Sequence, residues 1–264
     1  MDLINNHLKE KNMQPNLLVP YTLLAILTSP AIMAQNNNPV TVSHMQNYVE
    51  QSLSNYDSAN RLSVGDFYNG GVVCAVDSSG QHGLAVSIND QSTNAPWWGP
   101  TCTDGTNCPS IGTVNANGIG GGAINTAAII AAQSQFDATV TGTAALLASN
   151  YTVRADTGKN INNECSLVAQ AAIVPSDIQC IGDWYLPSEQ EFALCLAAKT
   201  SIDATIQTYG GTPIGASGDN YWTSNQDASN TTFAWSIKLQ STGISADSDR
   251  KDDGANHTRA VRSF

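Results

Sequence analysis

The side chains best able to do chemistry in this 264-residue chain are six cysteines, an aspartate cluster near the end, and the basic residues interleaved with it. The cysteines are Cys74, Cys102, Cys108, Cys165, Cys180 and Cys195. No two of them show the close C-x-x-C spacing of a structural zinc site, so disulfide formation is the expected chemistry. Pairing Cys102 with Cys108 and Cys165 with Cys180 closes two short loops, which leaves Cys74 for Cys195. The competing reading of that last pair is two buried free thiols. Asp247, Asp249, Asp252 and Asp253 are interleaved with Arg250 and Lys251. Hard cations take several carboxylate and carbonyl oxygens, so calcium is conceivable there, but the spacing is not that of an EF-hand loop. A solvated loop of mixed charge is the favoured reading, with no cofactor required. Arg250, Lys251, Arg259 and Arg262 could hold a carboxylated or sulfated ligand through charge-assisted hydrogen bonds. Local pairing with the four aspartates competes with that use.

Aromatic faces are the other candidate binding groups. Trp97 and Trp98 lie in a segment bounded by Pro96 and Gly99, which reads as a loop. At least one of them is expected to be exposed and available for stacking on a ligand. Trp184, Tyr185, Tyr221, Trp222 and Trp235 could form a similar platform, but their positions in the pattern favour packing in a core. Catalytic motifs are weak. His82, Asp90 and Ser92 have the residue types of a hydrolase set, yet no nucleophile elbow G-x-S-x-G occurs. Gly118-Ile119-Gly120-Gly121-Gly122 has the look of a phosphate cradle, but no lysine follows as in a P-loop. A tight turn entering a helix is the better reading.

The elements that would position these groups follow from periodicity. Val72-Val73-Cys74-Ala75-Val76 and Gly83-Leu84-Ala85-Val86-Ser87-Ile88 flank the turn residues Asp77-Ser78-Ser79-Gly80 and predict a hairpin. An alanine- and isoleucine-rich stretch predicts a helix over about 124–133. Further alanine-rich stretches near Ala144 and Ala169 suggest two more. Pro187-Ser188-Glu189-Gln190-Glu191 contains a capping box, S-x-x-E, opening a helix with Phe192, Cys195 and Leu196 on one face. Phe233, Trp235, Ile237 and Leu239 alternate with Ala234, Ser236, Lys238 and Gln240, the period of a half-buried strand. A last strand is expected over about 258–264. Strands at both ends with helices between them predict an α+β domain with an antiparallel sheet and flanking helices, stabilised by disulfides.

The first 34 residues read as a signal peptide. Lys9 and Lys11 precede an apolar run from Leu17 to Met33, closed by Ala31-Ile32-Met33-Ala34. Pro20 and Pro30 interrupt the run and argue against a spanning helix. Residues 35–60 read as a linker followed by a short amphipathic helix, with Val42, Met45, Val49 and Leu53 as its stripe. Residues 61–264 then form one domain. The formal net charge is −11, with 11 basic and 22 acidic residues, which disfavours a nucleic-acid partner. Lys238, Arg250, Lys251, Arg259 and Arg262 concentrate the basic charge near the end.

The ordered set Tyr68-Asn69-Gly70-Gly71-Val72-Val73, Asp77-Ser78-Ser79-Gly80-Gln81-His82-Gly83-Leu84, Asp90-Gln91-Ser92, Asp183-Trp184-Tyr185-Leu186-Pro187-Ser188 with Glu191, Tyr221-Trp222-Thr223-Ser224, Trp235 and Arg259-Ala260-Val261-Arg262-Ser263-Phe264 resembles the Lcl C-terminal domain family of bacterial collagen-like adhesins. The resemblance implies a C-type-lectin-like fold in an exported bacterial protein, secreted or at the cell surface. It implies a non-enzymatic role in adhesion, with host or matrix glycans as ligands, and members that act as homotrimers. A subunit of a surface assembly working through protein partners is one alternative, and an extracellular enzyme is the other. Neither the Glu-Pro-Asn nor the Gln-Pro-Asp triplet of calcium-dependent sugar sites is present, and no Gly-X-Y repeat precedes the domain. The segment between Asn150 and Cys180 reads as an insertion in the family pattern.

Overall fold

The computed structural model describes residues 61–99, 102, 108–111, 115–160, 163, 165 and 179–264. The signal-peptide, linker and first-helix expectations, and the helix expected near Ala169, lie outside the described residues. Leu62–Phe264 fold as one unit.

Alternating apolar residues build the first sheet. Strands β1 (Phe67–Tyr68), β2 (Gly71–Val76) and β3 (Gly83–Ser87) form an antiparallel meander. The Asp77 carboxylate closes the hairpin by accepting the amides of Ser79 and Gly80, both at 3.0 Å. Later in the chain come β4 (Val153–Arg154), β5 (Cys180–Ile181), β6 (Asn220–Gln226), β7 (Phe233–Gln240), β8 (Gly243–Arg250) and β9 (Val261–Ser263). The last of these returns to pair antiparallel with β3, giving the order β1-β2-β3-β9. The second sheet is a separate meander, β6-β7-β8, and β4-β5 is a two-stranded ribbon. With its helices, this is an α+β architecture of antiparallel sheets.

Four helices complete the described fold: α1 (Gly121–Phe136), α2 (Ala144–Ser149), α3 (Glu189–Ala197) and α4 (Lys199–Thr208). The capping box at α3 forms as the sequence predicts. Ser188 Oγ accepts the Glu191 amide and the Glu191 carboxylate accepts the Ser188 amide. Helix α1 begins differently. Its cap, Gly120, sits at φ 88°, a left-handed conformation with no side-chain cap. Gly122 has no room for a side chain: a Cβ there would lie 2.4 Å from Glu191 Oε2 and 2.6 Å from the Leu186 carbonyl. The glycine-rich run is therefore a close-packed entry into a helix.

Helix α1 is inverted relative to an ordinary surface helix. Its buried face carries Asn125, Thr126 and Gln133 beside Ile129. Each polar group is matched. Asn125 exchanges hydrogen bonds with both main-chain groups of Ala116. Thr126 Oγ1 exchanges hydrogen bonds with the Leu186 main chain. Gln133 donates to the Trp97 carbonyl and accepts from Thr143. Irregular segments beside α1 thus find their main-chain partners on its side chains.

Two apolar clusters sit between these layers. Val72, Cys74, Leu84 and Val86 from the first sheet pack with Phe192, Cys195, Ile202 and Ile206 of α3 and α4, and with Tyr221 and Ile237. Trp97, Trp98, Ile129, Trp184, Leu186 and Trp222 centre the other. All six cysteines are paired, in the bridges Cys74–Cys195, Cys102–Cys108 and Cys165–Cys180. The free-thiol alternative for Cys74 and Cys195 is thereby set aside.

Two expectations need correction. Asp247 and Asp249 belong to strand β8, not to a loop, because Ser248 and Asp249 pair across to Trp235 and Ala234 of β7. Trp235 is only half-buried and belongs to neither apolar cluster; in that part of β7 the buried residues are Ala234 and Ser236.

Cys74–Cys195 ties β2 to α3 across 121 residues of sequence. Closing so long a loop removes denatured-state entropy equivalent to about 5 kcal/mol. Replacing both cysteines by alanine is expected to lower the unfolding free energy by several kcal/mol in a denaturant titration. A loss below about 1 kcal/mol would show that the bridge does little beyond packing.

Candidate functional site

The residues singled out by sequence do not converge on one site. Lys251 is fully buried. Its ammonium donates to the Pro109 carbonyl at 2.9 Å and to Gln226 Oε1 at 2.6 Å, and lies 4.9 Å from the Trp97 ring centre. Trp97 and Trp98 are equally buried, which corrects the expectation of an exposed indole. The cause is the path of the segment after β3. Gln91, Ala95 and Trp98 donate main-chain hydrogen bonds to Thr258, Asn256 and Lys251, so the loop runs pinned along the C-terminal segment. Trp97 Nε1 then donates to the Thr223 carbonyl at 2.7 Å. Neither indole offers a face to a ligand.

Arg259 is also fully buried, and each of its three guanidinium nitrogens donates a hydrogen bond. Nε donates to the Ser87 carbonyl at 3.1 Å, Nη1 to Asp90 Oδ1 at 2.7 Å and Nη2 to the Thr212 carbonyl at 2.7 Å. Arg262 forms a two-pronged pair with Asp183, Nε to Oδ1 at 2.7 Å and Nη2 to Oδ2 at 2.9 Å, beside the Trp184 ring. Arg250 reaches the surface and pairs with Asp252 in the same manner. Local aspartate pairing therefore holds for Arg250 alone of the four cations, while Arg259 and Arg262 find distant carboxylates.

The four aspartates are likewise dispersed. Asp249 Oδ2 accepts from Ser236 Oγ at 2.6 Å and from Asn256 Nδ2 at 2.8 Å. Asp252 holds Arg250, Asp253 accepts the Ala255 amide, and Asp247 accepts the Ser248 amide. Among the described residues no three metal-ligating side chains are grouped. The geometry assigns these aspartates to strand and turn stabilisation.

A polar cluster that sequence spacing did not reveal lies where β6 meets the end of β3 and the segment before β9. Asp90 Oδ2 lies 3.0 Å from His257 Nδ1 and accepts the Tyr221 hydroxyl at 3.1 Å. The other ring nitrogen of His257 lies 3.9 Å from Asp219 Oδ1. The Tyr221 oxygen accepts the Gly215 amide at 2.8 Å. Burial, reinforced by the Asp90 charge, pushes the Tyr221 phenol well above its ordinary range, so it stays a neutral donor. The His257 side chain is 18% exposed, so an imidazole held between two carboxylates has an edge at the surface. Neither ring nitrogen is bonded to a serine, threonine or cysteine among the described residues. Ser92, of the suggested hydrolase set, engages Asn94 instead. Asp90 does meet a histidine, but it is His257 and not His82.

One aromatic surface was also missed. Tyr209, at the end of α4, stacks on Phe67 of β1 with ring centres 3.6 Å apart and an 8° interplanar angle. Tyr209 is 37% exposed. Gly210 follows in the left-handed region at φ 65°, and a Cβ on it would lie 2.7 Å from the Lys159 ammonium. An open aromatic with a cation beside it is a surface suited to stacking and to an acidic group. The contact joins β1 to α4 across more than half the domain, so no local motif announces it. No protein-family model matches the chain, and no curated protein matches it.

Burial pushes the Lys251 ammonium down from 10.5 to about 8. Between those values the unfolded chain holds a proton that the folded chain has released. Stability contributed by this group is therefore full above the unfolded value and lost as pH falls through about 8. Lys251→Met removes that dependence and takes one donor each from the Pro109 carbonyl and from Gln226 Oε1, which keeps the Ile111 amide. The expected outcome is a variant less stable by roughly 1–3 kcal/mol. Its pH–stability curve should lack the rise that the parent shows from pH about 8 upward. Parallel curves for the two proteins would contradict the assignment.

Proposed function

We propose that this is an exported bacterial recognition protein, secreted or at the cell surface, which binds glycans in adhesion and is not an enzyme. Its domain is read as C-type-lectin-like, on the resemblance of the ordered motifs to the Lcl C-terminal domain family. The observation that carries the reading is the pairing of all six cysteines in disulfides. Such a scaffold suits an oxidising extracytoplasmic setting and holds surface loops in fixed positions for recognition. The arrangement of the buried cations fits the same role. Lys251, Arg259 and Arg262 brace the scaffold.

The ligand surface in this reading is Tyr209 on Phe67, with Lys159 at its edge. A pyranose ring presents C–H groups that pack on an aromatic face, while a uronic acid or sulfate would meet the ammonium. Arg250, paired with Asp252, is another cation at the surface. A specific observation favours protein contact as a second role: helix α1 exposes an uncharged apolar face.

A glycan array that includes sulfated and carboxylated polysaccharides, run with calcium and with chelator, tests the reading. Binding is expected to be independent of calcium. Tyr209→Ala should weaken it by about tenfold, equivalent to about 1.4 kcal/mol, and Lys159→Gln should weaken only the acidic ligands. Silence across the array from folded, oxidised protein would overturn the glycan reading. Loss of binding on chelation would move the site to the aspartates of β8.

A further inference from the structure

Helix α1 presents to solvent the residues that a surface helix normally buries. Ile124 is 64% exposed, with Ile119 at 50% in the turn before it and Phe136 at 58% at its far end. Ala127 and Ala131 are exposed between them. At 100° per residue Ile124, Ala127, Ala131 and Gln135 share one stripe. No side chain from residue 105 to residue 136 is ionisable. The polar residues that would ordinarily solvate this face point inward instead, where Asn125, Thr126 and Gln133 are fully engaged.

We infer that α1 is a self-association surface, on which two copies of this chain pair α1 against α1 about a two-fold axis. Two features select a second copy as the occupant. The first is charge. At a net −11, two copies repel across most of their surface, and an uncharged face lets them approach with the least repulsion. The second is shape. Ile124 and Ala131 lie symmetrically about the midpoint of Ala127 and Ala128. In an antiparallel pair each Ile124 therefore enters the space left by the partner's Ala131, and the small residues at the centre permit close approach. A two-fold interface requires this self-complementarity, in which residue i meets j and j meets i.

The area sets the strength. A helix of 16 residues is about 24 Å long, so one helix-on-helix contact falls well short of the roughly 800 Å² per partner of a standard stable interface. The pairing is therefore weak and reversible. It operates at the local concentrations of a crowded cell surface or a multivalent array, where weak contacts add avidity. It is independent of the glycan reading, and either can fail while the other stands.

Sedimentation equilibrium of the folded, oxidised protein, from about 10 μM to about 1 mM, is the test. The expected result is a reversible monomer–dimer equilibrium that tightens as salt rises from about 20 mM to about 500 mM, because screening removes like-charge repulsion without weakening apolar contact. Ile124→Glu and, separately, Ala127→Glu should each weaken the dimer at least about tenfold while leaving the thermal transition unchanged; Ile124→Leu should preserve it. A monomer at every concentration overturns the inference. So does a trimer, a dimer loosened by salt, or a dimer indifferent to both glutamate variants.

Discussion

The fold turns on one carboxylate. Glu191 is fully buried and accepts four hydrogen bonds: from the amides of Gly120 at 2.8 Å, Gly122 at 2.9 Å and Ser188 at 2.8 Å, and from the Tyr185 hydroxyl at 2.8 Å. A buried charge without such partners would cost several kcal/mol or lose its ionisation. Here the compensation comes from donors and dipoles, with no cation paired to it among the described residues. The cap and first turn of α1 supply two of the amides, where the helix macrodipole also favours a negative charge. Burial and the Glu191 charge together raise the Tyr185 phenol far above its ordinary range, so it remains a donor. Tyr185 in turn exchanges main-chain hydrogen bonds with Val261 of β9. One side chain thereby joins α1, α3 and the strand that closes the first sheet.

The same economy governs the cations. Lys251, Arg259 and Arg262 are three of the chain's eleven basic residues, and all three are buried against named acceptors. Their burial makes the exterior more acidic than the sequence order suggests, with three of the five C-terminal basic residues turned into internal bracing. Long-range attraction of a polyanion is correspondingly weak, so the recognition role proposed above would rest on short-range contact. Two surfaces proposed for such contact are aromatic, at Tyr209, and apolar, along α1. Both depend on the hub: the Glu191 carboxylate fixes the start of α1, and α3, which carries Glu191, leads directly into α4 and Tyr209.

Local chemistry was legible in the sequence and distant pairing was not. The capping box at Ser188 and Glu191, the hairpin around Asp77 and the three disulfides could be read because each depends on a short spacing or on a small set of possible partners. The burial of Trp97 and Trp98 could not, since it depends on main-chain bonds to a segment some 150 residues away. Strand β8 was hidden by its aspartates, which a loop would also carry; pairing with β7 and side-chain contacts such as Ser236 to Asp249 overrode that local preference. Asp90 and His257 meet across a sequence separation of 167, and nothing in the neighbourhood of either residue points to the other. The inverted face of α1 was concealed by composition: alanine and isoleucine suit a buried helix, and only the fold shows that its polar residues face inward.

The most direct test of the hub is amide hydrogen exchange at Gly120, Gly122 and Ser188, compared between the parent protein and Glu191→Gln. If one carboxylate holds α1 and α3 together, the three amides exchange slowly and with a common opening free energy in the parent. All three then accelerate together in the variant, along with the first turns of both helices. Acceleration at Ser188 alone, with Gly120 and Gly122 still protected, would show that α1 is held by other contacts and that Glu191 does no more than cap its own helix.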